Sequence, residues 1–136
     1  MRKLHSMALT GFAAGLLAFA GGMAAAQDLP NFVKNTFPKQ SLNATAQELA
    51  VTDGKEFSLP AKYSELIGLA VAATVPCRYC IYYHQKAARK FGASEAEIRD
   101  ALYQAGVVRQ FSTILNGMDY SEDAFKREVD KIFSGQ

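Results

Sequence analysis

The segment Leu66–Val75 reads LIGLAVAATV, an uncharged run broken only by Gly68 and Thr74. A helix apolar on every side belongs inside a protein, so this run predicts an element covered nearly all round. Periodicity alone does not separate a short buried helix from a buried strand. The length of the stretch from Ala61 to Pro76 and its alanine content favour helix. The flanking segments read the same way. SLNATAQELAV places Leu42, Ala46, Leu49 and Ala50 at helical spacing, and Gly54 and Pro60 then break the pattern. Pro76 restarts the chain in a position suited to a first helical turn, and Gly92 supplies a C-terminal stop. Ser94 followed by Glu97 fits a capping box. The helix it opens carries Ile98, Leu102, Ala105, Val108, Ile114 and Leu115, and is expected to end at Asn116-Gly117. A last amphipathic stretch gathers Phe125, Val129, Ile132 and Phe133 on one side, predicted to be core. No hairpin signal appears. The expected fold is all-α, a small bundle of about five helices.

The N-terminus reads as an export signal. Arg2 and Lys3 precede an apolar run from Met7 to Phe19, and Ala24 and Ala26 occupy the small-residue positions of a cleavage site. A retained anchor needs about 20 apolar residues, whereas this run is dotted with Gly11, Gly15, Gly21 and Gly22. Residues 1–26 are therefore expected to be a cleaved signal peptide, and residues 27–136 one helical domain in the periplasm or secreted. Without Arg2 and Lys3 the basic count falls from 15 to 13 and equals the 13 acidic residues. A neutral domain offers no basic patch for nucleic acid. At 110 residues the exported piece is close to the size at which oligomerisation helps stability.

Its chemistry is concentrated. Both cysteines of the chain, Cys77 and Cys80, stand beside His84, the one histidine after the signal. On a helix of 3.6 residues per turn, Cys77, Cys80, Ile81, His84, Ala87, Ala88 and Phe91 share a stripe. Arg78, Tyr82, Gln85, Lys86, Arg89 and Lys90 fall opposite. The two thiols, one turn apart, are close enough to bridge. Cys77 is expected in the first turn, where unpaired N–H groups and the helix dipole favour a thiolate. The i,i+4 spacing places His84 beside Cys80, and a thiol next to an imidazole can give up its proton to become a nucleophile. Glu65 heads the apolar run and shares a face with Leu69 and Ala72. A carboxylate there can serve as acid or base if its helix packs on the cysteine helix.

Glu65, Cys77, Cys80 and His84, spaced Glu-x11-Cys-x2-Cys-x3-His, resemble the pattern of the alkyl hydroperoxidase D-like branch of the carboxymuconolactone decarboxylase superfamily. KFGASEAEIRDALYQAG also looks like the segment that follows the motif there, and the likeness covers roughly residues 45–118. The resemblance implies a small helical thiol peroxidase or disulfide oxidoreductase. Cys80 would attack the peroxide, Cys77 would resolve it as a disulfide, and His84 and Glu65 would relay protons. It also implies a homo-oligomer, trimer or larger, and no cofactor. The substrate would be a small hydroperoxide, the reductant an unnamed thiol. The best-known members carry a histidine where Tyr79 stands, are cytosolic, and draw on a lipoyl-linked reductase, which an exported protein does not meet. The decarboxylase branch lacks this pattern.

Three blander readings stand beside that one. The first is a structural disulfide between Cys77 and Cys80 in an exported domain, although a bridge closing so short a loop restrains little of the unfolded chain and makes a poor staple. Cys77, Cys80, His84 and Glu65 also form a chemically reasonable zinc set. A helical protein binding a small apolar ligand, with the motif idle, is the third. Tyr82 and Tyr83 are expected in packing or an oligomer contact.

Overall fold

The computed structural model describes residues 25–53 and 57–135. The expected signal peptide lies, but for Ala25 and Ala26, outside the described residues. The described elements are helical and include no strand. They group into two compact units, one ending at Ala50 and the other beginning at Val51.

In the first unit, short helical pieces are set by prolines. A 3-10 turn spans Ala26–Asp28, helix α1 spans Asn31–Thr36 and a second 3-10 turn spans Lys39–Ser41. Pro30 and Pro38 are the cap residues of the latter two, where a missing N–H costs nothing and the fixed φ helps. Helix α2, Leu42–Asp53, begins here. Leu29, Val33 and Ala46 form the core, with Leu42 against them. Leu49 and Ala50, though at helical spacing, are exposed.

The second unit carries α3 (Ala61–Thr74), α4 (Arg78–Lys90), α5 (Glu95–Gly117) and α6 (Glu122–Phe133). Helix α3 packs on α4 and α5. Leu69, Ala88 and Ile98 are buried at their junction, with Leu66, Ile81, Ala93 and Leu102 around them. Lys62 and Glu97 meet at 2.7 Å, tying the start of α3 to the start of α5. The two Ser94 and Lys62 partners hold the Glu97 carboxyl at about 2, with the Lys62 hydrogen bond the largest cause.

Two burial expectations are corrected. Helix α3 is covered on one face, not all round: Glu65, Leu69 and Ala72 are buried, while Ile67, Val71 and Val75 are more than half exposed. Among the described elements only α4 and α5 pack closely on it, and two neighbours leave a flank open. The α6 stripe is not core. That helix buries no residue, and Phe125, Ile132 and Phe133 are exposed.

The helix ends follow local chemistry. Gly92, at φ +85°, takes the left-handed position after α4. The Ala93 N–H bonds the Ala88 carbonyl and the Gly92 N–H bonds that of Arg89, a Schellman closure. Ser94 and Glu97 form the expected capping box. Asn116-Gly117 ends α5 as expected, but the reversal occurs at Asp119, at φ +50°.

Candidate active site

Helices α3 and α4 build the site together. The turn between them is held by the Cys77 N–H, which bonds the Ala72 carbonyl at 2.9 Å. Cys77 is the N-cap residue of α4, one step outside the helix. The sequence pattern predicts it in the first turn, with Pro76 opening the helix. In the structure Pro76 lies in the turn before the cap. The Cys77 side chain replaces the usual serine or aspartate oxygen: its Sγ accepts the Cys80 N–H at 3.2 Å. Cys77 and Cys80 are joined by a disulfide, with Cα atoms 5.3 Å apart.

The inward stripe of α4 holds over most of its length. Cys77, Cys80, Ile81, His84 and Ala87 are partly buried and Ala88 is fully buried. Phe91 departs from it and is exposed, because the chain leaves helical geometry there to enter the Gly92 turn. Tyr79, Tyr82 and Tyr83 lie on the exposed side.

The structure brings Glu65 to His84. Glu65, at 8 % exposure, is the buried charged residue on the α3 face that also holds Leu69 and Ala72. Its Oε2 lies 2.7 Å from His84 Nδ1. An Nδ1–H donating to the carboxylate fixes the ring and leaves Nε2 with the free lone pair. Tyr83 adds an edge contact, its ring centre 5.2 Å from the imidazole. An open cleft of about 280 Å³ runs beside this pair, lined by Gly68, Val71, Ala72, Val75, Cys77, Cys80 and His84. Both half-cystines and the imidazole therefore border one small, largely apolar space. A larger concavity, about 380 Å³, lies between α3 and α5 near Arg109 and contains none of these groups.

In the sequence Gly68 stands out only as an interruption in an apolar run. Its place three residues after Glu65, on a helix that faces the cysteines, was the available signal for its contact with the site. Among the described residues, no three or more His, Cys, Asp or Glu side chains converge as metal ligands. No described helix is long and apolar enough to cross a membrane.

Comparison with curated proteins returned no match. The sequence profile of the carboxymuconolactone decarboxylase family matches residues 39–123, well over half of the 136-residue chain. That span takes in all four residues of the Glu–Cys–Cys–His pattern, and the chain belongs to the carboxymuconolactone decarboxylase family.

Proposed function

We propose that this protein is an alkyl hydroperoxidase D-like thiol oxidoreductase that reduces hydroperoxides through Cys77 and Cys80. The observation that carries the reading is the convergence on one cleft of a cysteine pair and an imidazole hydrogen-bonded to a buried carboxylate. The reduced enzyme presents two thiols. His84 Nε2 takes the Cys80 proton, and the thiolate attacks the terminal peroxide oxygen. The O–O bond breaks, Cys80 becomes a sulfenic acid, and the alkoxide leaves as an alcohol with a proton returned by His84. Cys77 then attacks the Cys80 sulfur and displaces water, forming the disulfide. In sum, one dithiol and one hydroperoxide give one disulfide, one alcohol and one water. An external thiol reductant restores the dithiol.

The helix cap supports this division of labour. When an external thiol attacks Cys80, Cys77 departs as a thiolate, and the Cys80 N–H at the start of α4 already points at its sulfur. A stabilised leaving thiolate speeds exchange, and the same thiolate is ready to resolve the sulfenic acid. The reading includes export to the periplasm or beyond, from the N-terminal signal pattern, and a homo-oligomer. The open flank of α3 and the bare stripe of α6 are apolar surfaces that a second copy would cover.

The test is to reduce the purified protein and mix it with hydroperoxides in a stopped-flow instrument, following loss of free thiol. Wild type should consume one peroxide per thiol pair. Cys80→Ser should fall to the rate of buffer alone. Full activity in that variant rejects the assignment, and stoichiometric zinc on the purified protein favours a metal site instead.

A further inference from the structure

Gly68 sits on α3 three residues beyond Glu65, facing the His84 ring. A Cβ placed on it would lie 2.5 Å from His84 Cε1, 2.6 Å from Nδ1 and 2.8 Å from Nε2. All three distances are far inside van der Waals contact. The Nδ1–Cε1–Nε2 edge of the ring thus rests directly on the α3 backbone, a position that only glycine leaves open. From that seat Nδ1 reaches the Glu65 carboxylate at 2.7 Å. Gly68 also lines the cleft shared by both half-cystines and His84.

Glycine in a helix interior is ordinarily a weakness, because alanine is the better helix former. Two described glycines test that statement within this unit. Gly106, inside α5, has nothing within 4 Å of a built Cβ, so alanine would fit there without displacing anything. At Gly68 the same methyl group would occupy the space of the imidazole. The ring is the end of a side chain and can swing away, so the clash does not forbid folding. It does forbid the observed ring position.

We infer that Gly68 is a positioning residue for the site: its missing side chain seats the His84 ring against Glu65, fixing the tautomer and the direction of Nε2. The inference rests on the thiol-oxidoreductase reading for its kinetic consequence, but not for the seat itself.

The experiment compares wild type, Gly68→Ala, Gly106→Ala, His84→Ala and the Gly68→Ala/His84→Ala double variant, all full-length. The imidazole nitrogens of 15N-histidine-labelled protein report the tautomer, the His84→Ala spectrum identifying the signals of His5. Thiol loss with a hydroperoxide reports the kinetics. Gly68→Ala should lose the single-tautomer signature of His84, and its rate should drop to within about tenfold of His84→Ala, itself about 10²-fold slow by the usual worth of a placed acid–base group. Gly106→Ala should match wild type in both. In the His84→Ala background, Gly68→Ala should cost no further rate and should raise the melting midpoint, since the space is then empty. Wild-type tautomer and rate in Gly68→Ala overturn the proposal. So does an equal rate loss in both backgrounds, or unfolding in both. Unfolding of Gly68→Ala alone, relieved by His84→Ala, upholds the clash. If wild type consumes no hydroperoxide, the functional reading fails, while the nitrogen spectra still decide the seat.

Discussion

Helices α4 and α6 look alike on a helical wheel: each has one apolar stripe and one charged face. In the structure they part company. The stripe of α4 lies against α3, and Ala88 at its centre is fully buried. Among the described residues the stripe of α6 is left largely uncovered: Val129 is partly buried, but Ile132 and Phe133 are roughly two-thirds exposed. Amphipathic spacing states that a face gains from being covered; it does not name the cover. For α4 the cover is the preceding helix in the same chain, joined to it by a short turn. For α6 the described helices of this unit supply no such cover.

Breaking the buried side of that comparison should have the largest effect. Leu69, fully buried where α3 meets α4, should cost about 2–5 kcal/mol when replaced by alanine, through lost burial and the cavity left behind. Urea unfolding measures it, and a loss under about 1 kcal/mol would mean the junction is far looser than drawn. The α6 side should respond differently. Ile132→Ser with Phe133→Ser should change the stability of an isolated chain by no more than about 0.5 kcal/mol each, the usual range for surface substitutions. If a second copy covers that stripe, the same pair should shift the sedimentation profile toward monomer. An unchanged profile would show that α6 plays no part in assembly. The smallest effect belongs to the Lys62–Glu97 tie, which helps hold α5 in place beside the α3–α4 pair. The Glu97 carboxyl is lowered from 4.5 to about 2. Its stabilising contribution is therefore complete above 4.5 and disappears as pH falls toward about 2. The melting midpoint of wild type should exceed that of Glu97→Gln near neutral pH, and the gap should close on acidification. A gap that persists at pH 2 would show that charge is not its source.

Much of this architecture was readable from residue order. The helix class, the Ser94–Glu97 box and the Gly92 stop rest on local chemistry, which operates within a few residues and survives any tertiary arrangement. The inward stripe of α4 was readable because charged and apolar residues divide cleanly around it. The approach of Glu65 to His84 was readable only as a possibility, since spacing on one helix cannot report distance to another. What failed to read out was coverage. An apolar run predicts burial, but whether Ile67, Val71 and Val75 are buried depends on how many neighbours arrive, and two neighbours leave them bare. The sequence pattern puts Cys77 one residue too far into its helix, because a sulfur acting as cap has no common signature comparable to serine or aspartate.

Cys77 is anchored twice. Its amide nitrogen is bound to the end of α3 and its sulfur to the opening amide of α4. If the bridge is reduced as proposed, that sulfur would keep an address, since the Cys80 N–H that it accepts in the bridged form stands at the start of α4. The freedom released by reduction would then fall chiefly to the Cys80 side chain. Under the proposed thiol chemistry, a bond that opens and recloses would lose little to searching, because one of its two partners is tied to backbone on both sides.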